Sequence, residues 1–136
     1  MTFVPEYRNV FYFRHPSLGY FLGFLCWPKD SLKIDVKTCG PGLFIQHGFG
    51  TLIFAEEIGA DCSIGQLVSI DYIDNPDERP KIGNRVTVGA GARVLGGVTV
   101  GDNVFISANS LVTQDVPAGV TVIGVPAKIV FSRPSA

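Results

Sequence analysis

A six-residue period runs through most of this chain and leaves few folds open to it. Stepping by six from Ile58 gives Ile64 and Ile70, then Ile82, Val88, Val94, Val100, Ile106 and Val112; only the step at Pro76 fails. Four residues after these sites stand small or β-branched residues: Cys62, Val68, Val86, Ala92, Val98, Val104, Ser110 and Val116. Glycine directly follows the apolar site at positions 59, 65, 83, 89 and 101. A period of six fits neither the 3.6-residue helix nor the plain alternation of a strand. It fits a chain that makes a short strand, turns and repeats. Three such strands close a triangular coil of about 18 residues, and coils stack through backbone hydrogen bonds at the ~4.8 Å spacing of neighbouring strands. The first residue of each hexad is expected to fill the interior. The fifth must be small because the coil corners there, and glycine is expected to ease backbone conformations that other residues resist.

Upstream of Ile58 the frame continues with slips. Its apolar sites become Leu52, Ile45, Cys39 and Ile34, so the step from Ile45 to Leu52 is seven residues and that from Ile34 to Cys39 is five. One-residue slips imply bulges, which often accompany sites. The long turn, Ile45 to Thr51, holds His47, one of two histidines in the chain. His47 is third in its hexad and should point outward, because the first and fifth residues point in. The corresponding outward positions are read as Gln66, Asn84 and Asp102, so Gln66 is expected beside His47 in a polar strip. A solvated polar face is the plainer reading of that strip. From Asp71 to Lys81 the phase persists but the pattern is lost, which predicts a loop bulging from the coil. Asp71, Asp74 and Arg79 on it are candidates to meet a substrate, against the alternative of a solvated charged loop.

The chain has 136 residues, which suits one domain. A formal net charge of −1 and the lack of any Lys/Arg run argue against nucleic acid or an anionic membrane surface as partner. Hydrophobic residues make up 46%, enough to exclude disorder. Cys26, Cys39 and Cys62 are odd in number and lack metal-site spacing, so they read as reduced core residues of a cytoplasmic protein. Nine of the fifteen aromatics lie in the first 31 residues. This divides the chain into an aromatic-rich cap, 1–31, and a β-helix domain, 32–136. Loose helical spacing in the cap, interrupted by Pro16 and Gly19, predicts one or two short helices closing the coil end. A second reading is an aromatic surface that visits a membrane, which we do not favour. The longest apolar run, Gly19 to Trp27, is far short of the roughly 20 residues that span a bilayer, and no signal peptide is expected.

Over about residues 34 to 130 the pattern resembles the hexapeptide-repeat acyltransferases. The serine acetyltransferase branch and short relatives from polysaccharide gene sets are the nearest in pattern. The residues that carry the resemblance are Gly42-Leu43-Phe44-Ile45-Gln46-His47-Gly48, Ile82-Gly83 through Gly89-Ala90-Gly91-Ala92, and Gly124-Val125-Pro126-Ala127-Lys128. The resemblance implies a left-handed parallel β-helix acting as a homotrimer, and transfer of an acetyl group from acetyl-CoA to a small-molecule hydroxyl. It implies His47 as general base, a role that suits an imidazole near neutral pH. It places CoA contacts at Ala90, Ala108, Thr113, Gln114 and Lys128, and implies no metal. The acceptor-binding candidates are Gln46, Gln66, Asp71 and Arg79.

Four departures bear on the acceptor. The residue before the base is an acid in serine acetyltransferases and here is Gln46. A second histidine before Pro-Lys-Ile is here Arg79. The acid that orients the base maps to Leu32 or Lys33, with Asp35 nearby. The long helical N-terminal domain of those enzymes is not expected. Together these favour a sugar hydroxyl over serine. A γ-type carbonic anhydrase would need three histidines, and the chain has His15 and His47. A non-catalytic trimeric scaffold is the alternative function.

Overall fold

A computed structural model describes residues 31–132, and every regular element in that span is a strand. The cap read into residues 1–31, its helices included, falls outside the described residues save Ser31. The strands are β1 (Leu32–Cys39), β2 (Phe44–Ile45), β3 (Thr51–Ile58), β4 (Ser63–Ile64), β5 (Ser69–Asp71), β6 (Lys81–Ile82) and β7 (Thr87–Val88). They continue as β8 (Arg93–Leu95), β9 (Thr99–Val100), β10 (Phe105–Ile106), β11 (Leu111–Val112), β12 (Val120–Ile123) and β13 (Lys128–Ser132). They form the parallel β-helix of hexapeptide repeats that the period predicts. Most are two or three residues long because each wall of the coil has room for only that much extended chain before the next corner.

Three walls result. The second is a sheet in the order β13-β12-β10-β7-β4-β2. The first wall pairs β6 with β9, and the third pairs β5, β8 and β11. These two merge because β1 and β3 run unbroken around the corner between them: β3 pairs with β5 at Ile53↔Ile70 and with β6 at Ile58↔Ile82. All pairing is parallel except β12 with β13, which folds back antiparallel at the C-terminal end of the stack.

The interior is the stack of hexad positions. Ile53, Ile58, Ile64, Ile70, Ile82, Ile106 and the valines between them are shut off from solvent, and so are the fifth-position residues Cys62, Val68, Val86, Ala92, Val104 and Ser110. Burying each isoleucine or valine contributes about 2 kcal/mol. Burial also pushes the Cys62 thiol above its ordinary pKa, so it stays protonated in the core.

Two expectations about the coil need correcting. The hexad site upstream of Ile58 is Ile53, not Leu52: Ile34 pairs with Ile53 and Ile53 with Ile70, while Leu52 pairs with Lys33 and Ser69 on the outer side. Adjacent apolar residues left the register open, and the sheet pairing decides it. The glycines after the apolar sites serve closeness of approach and not backbone freedom. A Cβ at Gly89 would lie 2.5 Å from the Ala108 backbone nitrogen, and one at Gly101 would lie 2.5 Å from that of Ala118. Left-handed backbone falls two residues later, at Asp61, Leu67, Arg85, Gly91 and Asn103.

Candidate functional site

A strongly irregular corner lies between β2 and β3. Ile45 pairs with Ile64, which sets Gln46 at the level of Gly65. The Leu67 N–H donates to the Phe49 carbonyl, as the Gly91 N–H does to that of Gln66 one coil on. Phe49 therefore takes the place equivalent to Gln66, and His47 and Gly48 are two extra residues, the first exposed and the second buried. The slip is two residues, not the one expected. His47 (φ 64°), Gly48 (φ 48°) and Gly50 (φ 62°) are all left-handed. For a non-glycine residue this conformation costs about 1 kcal/mol, although histidine is among those that adopt it more readily. The extra chain leaves both Gln46 and His47 exposed.

This turn forms one rim of a groove of about 330 Å³. Gln46 and His47 line it together with Gln66 and Ala90, so four of the residues singled out in the sequence meet here. Gly65 and Gly89 form its floor, and Ser63, Thr87 and Phe105 flank it. The last three escaped the sequence reading. They occupy the position just before each hexad site on the second wall, an outward column that the register Ser63↔Thr87↔Phe105 makes visible. Among the described residues no Asp, Glu, Lys or Arg lines the groove, and the His47 imidazole is the titratable group they supply to it. Such a site can take a proton from a hydroxyl and hold neutral polar groups through amides and hydroxyls.

Asn84 and Asp102 are not in the column of Gln66, which runs from Phe49 through Gln66 to Ala90 and Ala108. They stack on each other at the corner after the first wall. There the Asp102 carboxylate accepts from the Asn84 N–H at 2.7 Å and from its side-chain nitrogen at 3.2 Å, and Asn84 Oδ1 accepts from the Ala60 N–H at 2.9 Å. Those bonds hold Asp102 below the usual carboxylate range. The expected column was miscounted because the loop at 72–80 adds one hexad to its coil.

Ala108 stacks on Ala90, whose carbonyl accepts from the Asn109 N–H at 2.9 Å, but it does not line the groove. Thr113, Gln114 and Lys128 line a second cavity of about 470 Å³. Val112, Val116 and Val122 show it to be the C-terminal mouth of the core, beneath the stretch from Pro126 to Ile129. Asp71 and Arg79 lie at the corner after the third wall, one edge removed from His47. Asp71 Oδ1 accepts from the Tyr72 N–H at 2.8 Å. Of the places mapped for an orienting acid, Leu32 is buried and Lys33 exposed, while Asp35 pairs with Arg79 at 3.1 Å. Among the described residues no three His, Cys, Asp or Glu side chains gather as metal ligands, and no helix is long and apolar enough to cross a membrane.

Fold and groove together define a hexapeptide-repeat β-helix with a histidine on its outer surface. The bacterial transferase hexapeptide family (six repeats) matches residues 79–114. A serine acetyltransferase of Helicobacter pylori strain J99 is 46% identical over 94 residues, covering 67% of this chain and 55% of the relative. The crystal structure of serine acetyltransferase from Brucella abortus strain S19 superposes with a TM-score of 0.72 at 30% identity, covering 93% of this chain and 53% of that one. A structure of the Brucella abortus enzyme in complex with coenzyme A gives 0.67 at 28% identity, covering 95% and 53%. The chain thus carries the bacterial transferase hexapeptide repeat, and its resemblance to serine acetyltransferases holds in sequence and in fold. It spans about half the length of the relatives it matches.

Proposed function

We propose that this chain is an acetyl-CoA-dependent O-acetyltransferase, with a sugar hydroxyl ahead of serine as acceptor, in surface polysaccharide synthesis. The observation that carries the reading is His47, displaced outward on a two-residue bulge over a glycine-floored groove and flanked there by Gln46 and Gln66. In the proposed step the His47 imidazole takes the acceptor proton as the hydroxyl oxygen attacks the thioester carbonyl. The C–S bond breaks as the intermediate collapses, and the imidazolium returns the proton to the leaving CoA sulfur. Gln46 and Gln66 hold the acceptor. The amides and hydroxyls that line the groove support a neutral acceptor, since among the described residues it offers no carboxylate to an amino acid's ammonium group. Named relatives that are serine acetyltransferases, one solved with coenzyme A, support the donor and keep serine in the comparison.

The donor is proposed to run along Ala90 and Ala108, with Thr113, Gln114 and Lys128 toward its phosphates, where a lysine ammonium suits the charge. Asp71 and Arg79 sit one edge away from His47, so they join one site only if two copies meet edge to edge. A homotrimer supplies that meeting, and the cytoplasm is the compartment proposed for an enzyme drawing on acetyl-CoA.

Thiol release from acetyl-CoA, measured with serine, nucleotide-sugars and lipid-linked glycans, tests the proposal. His47→Ala should lower kcat by about 10²–10⁴-fold while coenzyme A still binds. Full activity in that variant would falsify the role of His47. No turnover with any acceptor, together with no coenzyme A binding, would favour the scaffold.

A further inference from the structure

We infer that Arg79 is a positioning residue: it clasps the 72–80 loop onto the first coil, and so fixes the loop that the proposed trimer brings to the His47 groove, without touching the acceptor. Only the last step of this rests on the transferase reading; the clasp stands on geometry alone.

The chain leaves the β-helix after β5 and re-enters at β6. An excursion of this length is costly to order unless contacts hold it. Three sets of contacts do. Within the loop, Asn75 closes a turn: its carbonyl accepts from the Glu78 N–H at 2.9 Å and its Oδ1 from the Asp77 N–H at 3.0 Å. Toward the following coil, Ile73 and Glu78 lie over Gly96 and Gly97, where an added Cβ would come to 3.4 Å from each. Toward the first coil, the link is Arg79.

The Arg79 guanidinium is committed to the chain itself. Its Nε donates to the Pro76 carbonyl at 3.0 Å. Its Nη1 donates to the Asp35 carbonyl at 3.3 Å and pairs with the Asp35 carboxylate at 3.1 Å. One planar group thus ties the loop to its own turn and to β1, 44 residues upstream. The Arg79 side chain is 15% exposed while that of Asp35 is 57% exposed, so the arginine is tucked beneath the loop and the aspartate faces solvent. An arginine that receives a substrate anion presents two parallel N–H groups to it. Here Nε and Nη1 already have partners. This revises the sequence expectation that Arg79 meets the acceptor directly.

Hydrogen exchange of residues 72–78 in the full chain tests the clasp without any assay of activity. Arg79→Gln should raise exchange there by roughly five-fold, and Asp35→Asn by less, since the Asp35 carbonyl still accepts from Arg79. The double variant should match Arg79→Gln, because that change already removes the ion pair that Asp35→Asn breaks. Arg79→Lys, which keeps the ion pair but loses the Nε donor, should fall between. Unchanged protection in Arg79→Gln, or a silent Asp35→Asn, would overturn the clasp. In the acetyl-transfer assay both variants should raise the acceptor KM, Asp35→Asn by the smaller factor, with kcat within about two-fold. A loss of kcat in Arg79→Gln that Asp35→Asn does not share would make Arg79 a direct participant and overturn the positioning role. If the wild-type chain turns over no acceptor, the transferase reading fails, and the exchange result still decides the clasp.

Discussion

From Lys81 to Val112 the coil repeats without a slip, each strand pairing with the one 18 positions on. From Ile45 to Lys81 it departs from the repeat three times: an eight-residue step from Ile45 to Ile53, a five-residue step from Ile53 to Ile58, and the loop at 72–80. The regular part makes each position a copy of its neighbours, with apolar residues inside and glycine where coils touch. Copies cannot single out one place for chemistry. The irregular part breaks the symmetry, and it holds His47, the loop and the Arg79 bridge. Rigidity in the one region is what lets the other depart from pattern, because a bulge keeps its shape only when the strands on both sides are held.

The register of the irregular region gives the largest expected effect. Ile53→Ala removes a fully enclosed side chain from the stack and should cost about 2–5 kcal/mol in denaturant unfolding. Leu52→Ala, on the outer side, should cost under about 1 kcal/mol. If Leu52 proves the costlier change, the frame through the bulge is wrong.

Glycine separates the regions less sharply but in kind. Gly101→Ala forces a Cβ against the backbone of the next coil, which cannot give way as a side chain can, and should cost about 1–3 kcal/mol. Gly50→Ala meets the flexible end of Leu67 and a left-handed φ, so its cost should be nearer about 1 kcal/mol, with Leu67 displaced. Equal thermal shifts in the two variants would erase the distinction between closeness of approach and backbone freedom.

The smallest effect is expected at Cys62. Its thiol is raised in the folded chain chiefly by burial, so the folded state holds its proton more tightly than the unfolded state does. Stability from this group is therefore complete below the ordinary thiol pKa and declines as pH rises past it. Cys62→Ala should flatten the alkaline end of the pH–stability profile, and native Cys62 should react with a thiol reagent far more slowly than in denaturant. A profile that does not change on substitution would count against the buried thiol as its source.

The hexad frame from Ile58 to Val116 was legible from residues alone, and so was the exposure of His47, although Phe49 and not His47 stacks on Gln66. Repetition made this possible, since eight hexads in one phase constrain one another where a single hexad would not. Ile53 was missed because Leu52 and Ile53 are both apolar and differ only in which way the strand turns them. Asn84 and Asp102 were assigned to the wrong column for a related reason. The loop adds six residues, a whole hexad, so the phase of the pattern survives while every later position moves to the next wall. A one-dimensional period cannot register a shift equal to itself.

The sequence by itself therefore determined the architecture and the core, because periodic burial of apolar side chains is written directly in residue order. Only the tertiary structure decided which outward residues share a face, why glycine recurs after each apolar site, and that Arg79 turns back to Asp35. Those depend on which coil lies against which, and that follows from pairing between residues far apart in the chain.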